Sequence, residues 1–209
     1  MPTDAERSIC VLCVASADAT GASDSFLYNK RLAETRRFVV IPSVGPFVSG
    51  HVMVVSKAHQ SSLVAMGRDA VEEYDELADR LRDLPVWSGG TPLEAEHGST
   101  ETDKAGACVV HSHVHWIPGM GAHFDELSRR LSIRPEAALT RLTLAHQPYI
   151  FLRAGPKQGI FEADGLPSQT IRRLLCDLLE RDDLDWRQNR RLDWVTETVD
   201  RWARLQGDH

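Results

Sequence analysis

No stretch of 18 consecutive apolar residues occurs in the 209-residue chain, so no transmembrane helix and no membrane partner are expected. Basic residues are scarce too: 24 Lys and Arg against 30 Asp and Glu leave a formal net charge of −6, which argues against a nucleic-acid footprint. Neither G-x-G-x-x-G nor G-x-x-x-x-G-K-[ST] occurs, so neither a Rossmann dinucleotide site nor a P-loop is supported. Repeats and low-complexity tracts are missing, and 42% hydrophobic with 26% charged residues exclude collagen, coiled-coil rods and wholesale disorder. The first residues, MPTDAERSICVLCVAS, carry acids where a secretory signal would carry basic groups. A cytoplasmic protein is expected. In that reducing compartment the four cysteines, at 10, 13, 108 and 176, are not expected to form a disulfide framework.

The pattern of elements indicates an α+β fold. RRFVVIPSVGPF reads as a strand entering a Gly/Pro turn, and HVMVVS (51–56) as a second strand rich in β-branched residues, together an antiparallel hairpin. Residues 61–84 turn helical, with Leu63, Val64, Val71, Tyr74, Leu77 and Leu81 near helical spacing. A short strand is expected near Leu93–Glu96, a clear one in ACVVHSHVHWIP, and another in PYIFLRA. LPSQTIRRLLCDLLERDDL starts a helix after Ser168, and RRLDWVTETVDRWARL aligns Leu192, Val195, Val199, Trp202 and Leu205 on one helical stripe. The succession is not βαβ, so a mainly antiparallel sheet is implied.

The informative stretch is His111-Ser112-His113-Val114-His115. Residues two apart on a strand share a face, so three imidazoles are expected to point one way. With 9 His in the chain, chance yields H-x-H-x-H about 0.016 times. Satisfied structural histidines, a three-histidine zinc site and phosphoryl chemistry all accommodate the pattern. A neutral imidazole near pH 7 is a competent nucleophile that can split a phosphoryl displacement into two steps. Cys10 and Cys13 form a C-x-x-C that suits half of a zinc site, a redox pair or simple coincidence.

His111 to His115, with Ile117-Pro118 after them, resemble the histidine triad (HIT) superfamily. Gly50-His51-Val52-Met53-Val54-Val55-Ser56-Lys57-Ala58-His59 is similar to that family's G-H-x-L-V-I-P-K-x-H strand, and Glu96-His97-Gly98 resembles the EHG variant of a bacterial branch of HIT hydrolases. The resemblance implies an antiparallel sheet of about five strands with flanking helices. Residues 10–120 would be the catalytic domain, and 121–209 an α-rich extension of one strand and two helices packed on it. It implies His113 as nucleophile and His115 as a phosphate contact with His51 beside it, while His97 is a candidate for leaving-group proton transfer. It implies a structural zinc on Cys10, Cys13, His59 and His111, and a homodimer.

The implied activity is hydrolysis of a nucleoside phosphate anhydride, ester or phosphoramidate, such as a dinucleoside polyphosphate, through a nucleotidyl-histidine. Phosphorolysis or nucleotidyl transfer is the alternative, and a non-catalytic nucleotide-binding module is a third reading. Departures weaken nucleotide-specific contacts: Gly106-Ala107-Cys108, followed by Val109, stands where relatives carry Gly-Gln-Ser or Gly-Gln-Thr, and Ser43 stands where an acid usually holds the ribose. Ser43, Gly106, Ala107, Cys108 and Val109 are therefore the expected substrate-binding positions. The arginines of the tail, Arg172 among them, interleave with acids and read as a solvated helix surface.

Overall fold

The computed structural model describes residues 10–16, 29–87, 89–100, 109–131, 147–167, 169–182, 185 and 188–207. The elements are α1 (Val11–Ser16), β1 (Ala33–Glu34), β2 (Phe38–Pro42), β3 (Val52–Ser56), α2 (Arg68–Arg82), β4 (Leu93–Gly98), β5 (His113–Ile117), α3 (Phe124–Arg130), β6 (Tyr149–Ala154), β7 (Lys157–Glu162), α4 (Thr170–Leu178) and α5 (Leu192–Gly207). Single 3₁₀ turns precede α2 and α3. The strands form one antiparallel sheet in the order β1-β2-β3-β5-β4-β6-β7.

Seven strands replace the expected five. The polar run KQGIFE carries no apolar alternation, yet it pairs along β6 from Tyr149↔Glu162 to Ala154↔Lys157, because a short turn at Gly155 folds it straight back. The stretch after residue 120 thus contributes two strands rather than one, and both continue the same sheet through β4. The helix expected over 61–84 begins only at Arg68, since Gly67 at φ 87° breaks it from the 3₁₀ turn Val64–Met66.

Alternation along the strands sorts the side chains. One face carries Val40, Val52, Val54, Val114 and Trp116 into a core with Tyr74, Leu77 and Leu81 of α2 and Trp202 of α5. Each large side chain buried there contributes about 1.5–3 kcal/mol. The other face splits into two clusters. Leu12 of α1 packs on Val39, Ile41, Met53 and Val55, while Ile171 and Leu175 of α4 pack with Leu93, Ala95, Ile117, Ile150 and Leu152.

Buried ionic groups lie on the α2 face. Glu94, opposite Arg153 in the β4–β6 register, accepts from its guanidinium at 2.9 Å and from Tyr74 Oη at 2.9 Å. Glu96 accepts from Leu63 N at 2.8 Å and from Tyr149 Oη at 2.5 Å. A Cβ on Gly98 would lie 2.3 Å from the Tyr149 ring, so this position must be glycine for Tyr149 to reach Glu96. Two members of the Glu96-His97-Gly98 motif therefore serve packing on one face, and alternation sends His97 to the other.

Candidate active site

Strand register assembles the histidines. Val55 pairs with His113 and Met53 with His115, while Ala95 of β4 pairs with His115 from the other side. Because 95 and 97 share a face, His97 joins His113 and His115 there. The three line a cleft of about 120 Å³, roughly ten times the space one water needs. Its remaining walls are Val11 and Leu12 of α1, the loop residues Ser43, Val44, Gly45 and Phe47, Met53 and Ile117 of the strands, Val109, and Gln169, Ile171 and Arg172 at the start of α4.

His111 departs from the single-strand picture. It lies before β5, where its N–H donates to Val109 O and Ser112 N donates to Gln60 O, so only His113 and His115 are strand residues. The His111 ring turns to the cysteine pair. Its Nε2 donates to Ser56 O at 2.7 Å, leaving the Nδ1 lone pair 3.5 Å from Cys10 Sγ and 3.4 Å from Cys13 Sγ. His59 Nδ1 lies 3.0 Å from Cys13 Sγ, and the four ligand atoms all fall within 4.8 Å of one another.

A tetrahedral zinc with bonds of about 2.3 Å to sulfur and 2.0 Å to nitrogen spaces its S and N ligands about 3.5 Å apart. The backbone carbonyl fixing His111 is the outer-shell partner that zinc-ligating histidines commonly have. The donor set fits a closed Cys2His2 zinc site. Burial holds His111 at about 4, opposed by its bond to Ser56 O, so it stays neutral and ligand-competent near pH 7.

Hydrogen bonds assign the tautomers in the cleft. Phe47 N–H donates to His51 Nδ1 at 3.1 Å, so the His51 proton sits on Nε2 and points at His115 Nδ1, 3.0 Å away. That leaves the His115 proton on Nε2, a donor. His113 is set oppositely: its Nδ1 donates to His111 O at 2.6 Å, so Nε2 carries the lone pair. Neighbouring rings 5.0 Å apart thus present one lone pair and one N–H donor.

Burial keeps these imidazoles neutral. It is the largest cause for His51, pushed down to about 3, and for His97, at about 4. His115 lies well below its ordinary value because of burial, then the charges of His113, His51 and Arg172. His113 is lowered by burial against the opposing bond to His111 O.

Set against the sequence expectations, Ser43 and Val109 line the cleft, whereas Gly106, Ala107 and Cys108 fall outside the described residues. His51 lies behind His115, not beside it in the cleft: it is 1% exposed, and both ring nitrogens are engaged. Arg172, read as solvated surface, is instead 9% exposed and lines the cleft, its Nη1 donating to Gly45 O at 2.8 Å and its guanidinium 4.4 Å over the Phe47 ring. Gln169, Ile171 and Phe47 were missed as well. Helical spacing places 169 and 172 on one side of α4, but nothing in the local sequence says which surface that side meets.

No family model and no curated protein matches the chain. Among solved structures it resembles a zinc-bound histidine triad family protein from Mycobacterium smegmatis, at 18% identity over 97% of this chain and 99% of that one, with a TM-score of 0.44. A hypothetical histidine triad nucleotide-binding protein from Sulfolobus tokodaii shares 26% identity, with a TM-score of 0.33 over 42% of this chain. The match spans 58% of that protein's length. A Hit-like protein from Bartonella henselae described as involved in cell-cycle regulation shares 17% identity over 42% of this chain and 67% of its own, with a TM-score of 0.34. Histidine triad proteins thus stand among the solved structures this chain resembles. The likenesses are partial; the distances within the cleft are the stronger guide to its chemistry.

Proposed function

We propose that this chain is a nucleotide hydrolase of the histidine triad kind, acting on a nucleoside phosphate anhydride, ester or phosphoramidate through a covalent nucleotidyl-His113. The observation carrying this reading is the opposite tautomer setting of two adjacent imidazoles, which leaves a lone pair on His113 Nε2 and an N–H on His115 Nε2. His113 Nε2 attacks phosphorus, forming an N–P bond as the bond to the leaving-group oxygen breaks. The His115 N–H hydrogen-bonds the phosphoryl oxygen on which charge accumulates. His51 does not touch substrate; it positions the His115 proton.

His97, whose buried Nε2 has no partner among the described residues, is the group proposed to meet the leaving oxygen. An anionic substrate beside it raises its affinity for a proton, which it passes to that oxygen. Water then attacks phosphorus, the N–P bond breaks, and a nucleoside monophosphate leaves with His113 restored.

Zinc bound by Cys10, Cys13, His59 and His111 would have no open coordination position and would act as a clasp. It holds α1 against the sheet, and with it the Val11 and Leu12 wall of the cleft. A cytoplasmic setting, which keeps both thiols reduced, belongs to the same proposal.

The test is a screen of dinucleoside polyphosphates and nucleoside phosphoramidates with acid-quenched intact-mass spectrometry. Wild-type protein is expected to gain one nucleotidyl mass, and His113→Ala to gain none and to lose turnover. A His113→Ala protein with wild-type kcat on the best substrate refutes the covalent mechanism.

A further inference from the structure

Residues 43–51, which join β2 to β3, are largely buried: Ser43, Gly45, Pro46, Phe47 and Gly50 all lie inside the fold. Connecting segments usually run over the surface, because buried backbone N–H and C=O groups must find partners. This one closes on itself through Ser43 N–H to His51 O at 3.0 Å and His51 N–H to Val48 O at 3.3 Å. Other backbone groups of the loop are met by side chains. Phe47 N–H goes to His51 Nδ1, and three more partners come from far along the chain. Arg172 donates to Gly45 O at 2.8 Å, Arg181 Nη1 donates to Phe47 O, and Gly50 N–H donates to Thr198 Oγ1 at 2.8 Å.

Thr198 of α5 is 1% exposed, and its own proton goes to Trp194 O at 2.7 Å, so the hydroxyl oxygen is left to receive Gly50 N–H. Trp194 also meets Arg181, whose guanidinium lies 5.6 Å from that indole and 5.7 Å from the Phe47 ring. Gly50 is confined on two sides. It adopts φ 88°, and a Cβ there would lie 3.1 Å from Pro118 Cγ and 3.3 Å from Arg201 Nη1 of α5. The residue preceding His51 is therefore gripped between Pro118 and α5.

His51 takes its tautomer from Phe47 N–H, and its own N–H fixes the proton of His115. The groups that decide this setting thus lie in one loop whose backbone is tied to the C-terminal stretch. We propose that Thr198 and Arg181 are positioning residues: they hold residues 47 and 50 so that Phe47 N–H stays on His51 Nδ1 and the His115 proton stays on Nε2. Neither side chain lines the cleft, so both act through His51 and not on substrate. The consequence for turnover rests on the function proposed above, whereas the tautomer setting does not.

The experiment compares Thr198→Val with Thr198→Ser in the zinc-loaded full chain, with the thermal midpoint of each recorded beside wild type. Valine keeps the shape and loses the hydroxyl; serine loses a methyl and keeps the hydroxyl. A packing role makes serine the worse variant, and a positioning role makes it the better one. Long-range proton–nitrogen NMR spectra at pH 7.5 read which ring nitrogen of His51 and His115 is protonated. Wild type and Thr198→Ser are expected to show a protonated Nε2 on both rings, and Thr198→Val a mixture of tautomers on each. In hydrolysis of diadenosine tetraphosphate, Thr198→Val is expected to lower kcat about tenfold, the rate equivalent of one neutral hydrogen bond, and Thr198→Ser to stay within about twofold of wild type. Folded Thr198→Val protein with wild-type ring spectra overturns the proposal, and so does Thr198→Ser protein as impaired as Thr198→Val. Mixed tautomers already present in wild type overturn it as well. If Thr198→Val does not fold, Arg181→Met serves in its place, because it keeps the stem and loses the donor to Phe47 O. It is expected to give the same mixed tautomers, and wild-type spectra there overturn the proposal. Wild-type protein that hydrolyses no diadenosine tetraphosphate counts against the hydrolase reading alone, because the ring spectra decide the positioning roles by themselves.

Discussion

Replacing His51 by Phe separates the tautomer relay from simple packing. The slightly larger phenyl ring fills the site where His51 stacks 6.1 Å from Phe47, so no cavity forms. What disappears are the acceptor for Phe47 N–H, at a buried group, and the donor to His115 Nδ1, at a part-buried one. Leaving two such groups unsatisfied costs about 2–4 kcal/mol near pH 7.5. The pH dependence is sharper still. His51 titrates at about 3 in the fold against about 6.5 unfolded, so below pH 6.5 the unfolded chain binds a proton that the folded chain refuses. Wild-type stability therefore falls with pH at about 1.4 kcal/mol per unit on this account alone, and by about 2 kcal/mol between pH 6.5 and 5.

His51→Phe lacks that penalty, so the stability gap between the two proteins should shrink by about 2 kcal/mol on going from pH 7.5 to 5. Urea unfolding followed by tryptophan fluorescence at both pH values reads this difference directly. Turnover at pH 7.5 should drop about 10- to 100-fold, because nothing then holds the His115 proton on Nε2. A stability gap that stays constant between pH 7.5 and 5, or unchanged turnover, refutes the relay.

Three further outcomes are expected. Purified protein should carry about one zinc per chain by metal analysis, and Cys13→Ser should lower the thermal midpoint and raise KM more than it lowers kcat, since the clasp holds Val11 and Leu12 at the cleft rather than the reacting groups; a zinc-free wild type prepared without chelator would end that account. Gly98→Ala should cost about 2–4 kcal/mol by denaturant titration, because its Cβ displaces Tyr149 from Glu96, and a loss under about 0.5 kcal/mol would show that Tyr149 yields easily. Light scattering at micromolar concentration should give the mass of a two-fold symmetric dimer, and a monomer mass would refute it.

The hairpin β2–β3, helix α2 and the strand bearing His113 and His115 were legible because their signals are local: β-branched runs, helical spacing, and a two-residue histidine period. Strand β7 was not, since KQGIFE is polar and its strand character comes entirely from pairing with β6. His111 looked like a third strand residue because period two says nothing of where a strand begins. Ser112 exchanges backbone bonds with Ser56 and Gln60 while His111 N–H turns back to Val109 O, so the strand starts only at His113 and the His111 ring, held by Ser56 O, meets the cysteines.

The resemblance to the histidine triad pattern, and not residue identity alone, nominated His113, His115 and the ligand set Cys10, Cys13, His59 and His111; spacing by itself left the triad and the cysteine pair open to several chemistries. Which nitrogen of each ring carries a proton, and which histidine merely backs another, depended on the partners that strand register supplies from far along the chain. Arg172 makes the same point most plainly. As one of many tail arginines interleaved with acids it read as solvated helix surface, and only the packing of α4 over the β4–β6 side of the sheet turns it inward, because burial is a property of what lies across the contact and not of the residue itself.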